Sequence, residues 1–259
     1  MNYISEFLIC IICVFFFTCK EEKATEPKEE WIQLFNGEDL NDWVVKIKGY
    51  SLNVNVHNTF RVENGMLKIS YDEYQNFDAS YGHIFYNKPF SNYKLRLQYR
   101  FIGTQVNGGE SWAEKNSGVM VHSQSPESME INQDFPVSIE VQLLGGLHQN
   151  EKRPTANLCT PGTYIIMNGI LVTTHCIESS SKTYYGDEWI NLEVLVIRDS
   201  IIIHKINGKE VISYSKPQIG GEYNTLKTRE GELLKDGYIS LQSESHPIEF
   251  RNIELLELD

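Results

Sequence analysis

From Trp31 onward, apolar and polar residues alternate in short runs separated by turn residues, a period of two that predicts half-buried β-strands. The alternation predicts strands over residues 59–62, 66–70, 93–101, 118–123, 137–144, 190–197, 201–206, 210–214, 238–244 and 248–256. Asn64-Gly65, Asn168-Gly169 and Asn207-Gly208 each lie between two such runs. Asn-Gly readily supplies the two positive φ angles of a type I′ hairpin turn, so three antiparallel hairpins are expected. No sustained amphipathic helix, repeat or second hydrophobic centre interrupts the pattern. The expectation is an all-β fold, a sandwich of two antiparallel sheets, formed by a single domain over residues 31–259.

The same alternation leaves polar rows on the strand faces turned from the core. In 137–143, Ser138, Glu140 and Gln142 share one face; in 238–244, Ser240, Gln242 and Glu244 do; in 116–122, Asn116, Gly118 and His122 do. Lys94, Arg96, Gln98 and Arg100 form a fourth row. A strand that builds a core on one face and presents hydrogen-bonding groups on the other can read a polyhydroxylated ligand. Gly118 would let a ligand or another backbone approach closely.

The first residues do not belong to this pattern. Residues 7–17 form an apolar run too short for an ordinary membrane span, ending at Thr18-Cys19, which fits a secretory signal over 1–19 with Cys19 as the lipid-modified cysteine. A plain anchor helix is the alternative. Residues 20–30, rich in Lys and Glu, read as a solvated tether. The protein is therefore expected to be exported and lipid-anchored to the outer membrane, periplasmic or at the cell surface, with no other membrane contact. Cys10 and Cys13 leave with the signal, so only Cys159 and Cys176 remain in the domain, and an oxidising compartment makes them a disulfide candidate. Closing so short a loop is worth roughly 3 kcal/mol in the chain-entropy model. A zinc site on Cys159, His175 and Cys176 lacks the usual ligand spacing. The net charge of −12, with no basic run, argues against nucleic acid.

Leu34-Phe35-Asn36-Gly37-Glu38-Asp39-Leu40-Asn41-Asp42-Trp43, the Asn116-Ser117-Gly118 and Ile139-Glu140-Val141-Gln142 strands, Ile206-Asn207-Gly208 and Phe250-Arg251-Asn252-Ile253 together resemble, in this order, the 3-keto-disaccharide hydrolase family. Lys20-Glu21-Glu22 resembles the acidic export signal of surface lipoproteins in Bacteroidetes. The family resemblance implies a concanavalin-like jelly-roll sandwich with a carbohydrate site on its concave sheet. It also implies cleavage of 3-keto-glycosides, by hydrolysis or by C1–C2 elimination followed by hydration. A separate oxidoreductase would make the ketone, because this chain has no Gly-rich dinucleotide fingerprint.

Such a reaction needs a base for the C2 hydrogen, a donor for the enolate oxygen and an acid for the leaving group. Glu140 and His122 are the titratable candidates on the polar face. Arg100 is the candidate donor to the enolate; a divalent metal held by carboxylate and imidazole is the alternative. Asn116, Gln142, Gln242, Glu244 and His246 are candidate substrate contacts, and Trp112, beside Gly108-Gly109, is the candidate for stacking on a sugar ring. Each has a structural competitor: strand histidines and glutamates are often simply exposed or hydrogen-bonded, and Arg251 reads more readily as a tie for the last strand. Two departures from the family pattern stand out. His122 replaces a commoner Arg, and residues 153–163 replace a Gly-Ala-Leu-Tyr-like stretch and bring in a cysteine. A non-catalytic carbohydrate-binding lipoprotein is the alternative function; a two-carboxylate glycosidase would need Glu244 as the partner of Glu140.

Overall fold

The computed structural model describes residues 29–259, and within them Trp31–Asp259 forms one compact unit. The expected signal, lipidated Cys19 and most of the tether lie outside the described residues. In chain order the strands are β1 (Ile32–Gln33), β2 (Trp43–Ile47), β3 (Phe60–Glu63), β4 (Met66–Ile69), β5 (Gly82–Tyr86), β6 (Asn92–Phe101), β7 (Asn116–Ser123), β8 (Ile139–Leu144) and β9 (Asn157–Cys159). They continue as β10 (Thr163–Met167), β11 (Ile170–Val172), β12 (Cys176–Ile177), β13 (Ile190–Ile197), β14 (Ile201–Ile206), β15 (Lys209–Ile219), β16 (Tyr238–Ser243) and β17 (Ile248–Glu257).

These strands build two antiparallel sheets. One runs β11-β10-β15-β14-β13-β6-β17-β4-β3, with β1 added against β17; the other runs β12-β9-β8-β7-β16-β5-β2. All three Asn-Gly pairs adopt positive φ at both residues and join β3 to β4, β10 to β11 and β14 to β15, as their chemistry demands. The core lies between the sheets. Every second residue of β6, from Tyr93 to Phe101, packs there against Val119, Val121, Ile139, Val141, Ile239 and Leu241 of the smaller sheet.

Two strands escape the alternation. β2 and β5 are buried on both faces, so their sequences, Trp43-Val-Val-Lys-Ile47 and Gly82-His-Ile-Phe-Tyr86, show no clean period of two. Cys159 and Cys176 are joined in a disulfide where β9 and β12 pair, residue opposite residue. This crosslink fits an oxidising, extracellular or periplasmic setting. No helix among the described residues is long and apolar enough to cross a membrane.

Candidate active site

The face of the seven-stranded sheet turned from the core collects the polar rows. Glu140 lies opposite Met120 of β7 on one side and Cys159 of β9 on the other; Gln142 lies between Gly118 and Asn157. On β16, Gln242 pairs across to His83 of β5. A Cβ on Gly118 would stand 2.6 Å from Glu140 Oε1 and 2.8 Å from its Cγ. The glycine thus makes room for the neighbouring carboxylate, where the sequence suggested an approaching ligand or backbone.

Above this face opens a cavity of about 310 Å³, lined by Tyr81, Trp112, Asn116, Asp134, Phe135, Glu140, Gln142, Glu244, His175, Tyr223, Pro161 and the disulfide. Its size is at the small end of the roughly 300–1,000 Å³ of small-molecule sites. Aromatic rings form its mouth. Trp112 is 51 % exposed and stacks nearly parallel to Tyr81, 12° between planes, leaving indole surface free for a ligand. Phe135 packs edge-on to Tyr223 and tilted on Tyr81, 5.6 and 5.3 Å between centroids. The segment carrying Phe135 is held down from beneath. The buried Lys46 ammonium donates to the carbonyls of Ile131, Ile47 and Tyr50, and Lys48 pairs with Asp134.

The electrostatics centre on two carboxyls. Glu140 and Glu244 are both buried, and neither forms an ion pair or a side-chain hydrogen bond among the described residues. Burial pushes the Glu140 carboxyl up to about 8. Burial, and then the neighbouring Glu140, raise Glu244 well above the carboxylate range. Two like charges taken from water into one cavity cannot both ionise easily, so the pair holds a proton at neutral pH. Burial also lifts the Tyr81 phenol to about 12, which keeps it a neutral hydrogen-bond donor.

The structure thus brings together five of the candidate catalytic and substrate-binding residues, Glu140, Glu244, Asn116, Gln142 and Trp112, with the disulfide beside them. It separates the others. His122 does not join Glu140: β7 bulges there, with Val121 and His122 together opposite Ile239, and His122 takes φ +50°. The bulge breaks the alternation, and the buried imidazole meets the Arg198 carbonyl at 2.9 Å in the β13–β14 turn. Arg100 lies in the other sheet, its guanidinium paired with Glu249 at 2.8 Å and resting on Trp189. Gln242 is buried and His246 packs its ring on Phe101, both outside the lining. Arg251 donates to Gln98 and also rests on Trp189, a structural tie.

Tyr81, Asp134, Phe135, His175 and Tyr223 are lining residues that the alternation did not expose. All five come from connecting segments, where no period marks a facing side chain; only His175 had a signal, its place beside Cys176. A hollow of about 370 Å³ on the outer face of the larger sheet has its polar groups already matched, Arg96 with Glu254 and Gln98 with Asn191. Among the described residues no three His, Cys, Asp or Glu side chains converge as a metal-binding group.

A family model for the 3-keto-alpha-glucoside-1,2-lyase-like domain matches residues 30–256. The chain belongs to this family. Among solved structures, a candidate glycosyl hydrolase from Parabacteroides distasonis shares 19 % identity over 88 % of this chain and 100 % of its own, with a TM-score of 0.53. A protein of unknown function with a galectin-like fold from Bacillus subtilis shares 11 % over 88 % and 94 %, TM-score 0.54. The VIP36 exoplasmic/lumenal domain, in a form bound to Ca²⁺ and Man3GlcNAc, shares 10 % over 90 % of each chain, TM-score 0.50. At these identities the likeness shows the fold, a jelly-roll sandwich. No curated protein matches the chain. Membership of a 3-keto-alpha-glucoside-1,2-lyase-like family places the protein among carbohydrate-active domains.

Proposed function

We propose that the protein cleaves 3-keto-glycosides in the cavity over the seven-stranded sheet, with Glu140 and Glu244 as its base and acid. The observation that carries this reading is the pair of buried carboxyls lining one cavity, both raised by burial and Glu244 further by Glu140. Environments that push paired carboxyls apart in acidity are how one site supplies both a proton acceptor and a proton donor.

A ketone at C3 acidifies the hydrogen on C2. Glu140, on the strand at the floor of the cavity, takes that proton as carboxylate, and the electron pair of the C2–H bond passes to the enolate. Collapse of the enolate forms the C1–C2 double bond as the C1–O bond breaks, and the leaving oxygen takes the proton held by Glu244. Addition of water to C1 with the two roles reversed restores both carboxyls and releases the 3-keto sugar. The neutral Tyr81 hydroxyl is the donor suited to the enolate oxygen, in the place first expected for Arg100. Trp112 offers its face to a sugar ring, and Asn116 and Gln142 offer amides to the hydroxyls. The substrate is a carbohydrate already oxidised by a separate sugar oxidoreductase, and the lipid anchor on Cys19 would hold the domain at the outer membrane.

The test is turnover of a 3-keto-glucoside and of its unoxidised parent by the soluble domain, with and without a chelator, alongside Glu140→Gln. Release of aglycone from the keto substrate alone, falling by about 10²–10⁴-fold in Glu140→Gln, is expected. Equal turnover of the unoxidised parent would instead mark a two-carboxylate glycosidase. Binding without turnover of either compound would mark a carbohydrate-binding protein, a role that the exposed Trp112 platform alone would support. Loss of activity with the chelator would bring in a divalent metal.

A further inference from the structure

We propose that the Cys159–Cys176 disulfide is a positioning element of this site: it holds His175 on the cavity wall and closes the side of the cavity next to Glu140. The proposal rests on the catalytic reading above and on the register of three strands. Glu140 pairs with Cys159 and Cys159 pairs with Cys176, so carboxylate and disulfide stand side by side in one cross-strand row, and both line the cavity.

Without the covalent bond the wall is weakly built. β12 is a two-residue edge strand, and the residues before it cross from β11 of the larger sheet with Thr173, Thr174 and Cys176 exposed. Beyond its two-residue ladder with β9 and the half-buried Ile177, it is tied by two contacts of Thr160 to the His175 carbonyl, 2.8 Å from the amide and 3.1 Å from the hydroxyl, by Ser179 to Asn157 Oδ1 and the Thr155 carbonyl at 2.9 and 2.6 Å, and by the exposed Lys152–Glu178 pair. Hydrogen bonds at a solvent-facing edge open locally and often; a covalent crosslink removes those openings.

The imidazole of His175 rests on Tyr223, 5.3 Å between centroids, and its buried Nδ1 has no partner among the described residues. It is the histidine that shares the cavity with the carboxyl pair, in the position that the sequence suggested for His122. The groups facing Glu140 across the cavity are Glu244 just past the end of β16, Tyr81 ahead of β5, Asp134 from the segment before β8, Tyr223 from the loop after β15, and His175 itself. Opening of β12 would remove His175 and admit water from the edge. The carboxyl would then be solvated and would return toward the ordinary carboxylate range.

The test compares the oxidised domain with the same protein reduced by tris(2-carboxyethyl)phosphine, in which the S–S bond becomes two thiols as the phosphine takes oxygen from water. Two readouts need no substrate: the ¹³C-carboxyl titration of Glu140 and amide hydrogen exchange. On reduction the proton affinity of Glu140 is expected to fall by about tenfold or more, and exchange over 173–177 to rise by about tenfold, with the amides of Val119 and Val141 changed less than about twofold. With a 3-keto-glucoside, kcat should fall about tenfold with KM within about threefold; His175→Ala in the oxidised protein should lower kcat without moving the Glu140 titration. An unmoved titration in the reduced protein, or loss of protection across the whole domain, would overturn the proposal. Absence of turnover by the oxidised parent would instead sink the catalytic reading, with the two substrate-free readouts still deciding this one.

Discussion

Gly118 shows how closely one position can be tied to another's chemistry. Its missing Cβ is the space that the Glu140 side chain occupies, so Gly118→Ala should displace the carboxylate and lower kcat/KM by about tenfold or more at a stability cost of roughly 1–3 kcal/mol. Steady-state kinetics and urea denaturation would separate the two effects. The paired carboxyls make a second prediction. Their folded-state pKa values are raised above the unfolded ones. Near pH 4 both states are protonated and nothing is lost; as pH rises the unfolded chain ionises first, so unfolding releases protons and stability falls until the folded carboxyls also ionise, Glu140 at about 8 and Glu244 well above the carboxylate range. Glu244→Gln removes one of the two, so it should leave the melting temperature unchanged near pH 4 and raise it at pH 8. A tenfold change in proton affinity corresponds to about 1.4 kcal/mol, which sets the scale of the gain. An equal shift at both pH values would count against the burial account. Activity should be lost in the same variant.

At the level of strands and turns, what could be read in the sequence was whatever carries a period. β13 and β14 have the predicted limits, and each Asn-Gly pair is a hairpin turn, because alternation and positive φ are local properties. β15 runs past its predicted end at Tyr214 to Ile219, where pairing with β10 sustains an extended chain through Pro217. β2 and β5 were missed because burial on both faces erases the alternation. The site was half legible for the same reason: Glu140, Gln142, Asn116 and Glu244 follow from period-two faces, whereas Tyr81, Asp134, Phe135 and Tyr223 depend on where loops return. His122 was misplaced by a single inserted residue, since a bulge reverses the face on which the next side chain lies. Its role is then structural, through Nε2 and the Arg198 carbonyl. His122→Ala should cost about 1–3 kcal/mol in denaturant unfolding and change kcat/KM by less than about threefold. A large kinetic loss at unchanged stability would return it to the active site.

Across the whole molecule, the seven-stranded sheet divides its labour by face. Val141 and Gln142 are adjacent in β8, yet the first packs in the core between the sheets and the second lines the cavity. Val141→Ala is expected to lower stability by roughly 1–3 kcal/mol with KM unchanged, and Gln142→Ala to raise KM at a stability cost of about 0.5–1.5 kcal/mol, that of its lost bond from Asn157. Thermal melts and substrate titration on the two variants would show whether the faces are independent. That separation bears on how such a protein can change over generations. Residues that hold the sandwich together and residues that meet the ligand alternate along the same strands, so a mutation on one face need not be answered by a mutation on the other. Lineages could therefore drift from one sugar to another, or from cleavage to mere capture, while inheriting the same scaffold intact.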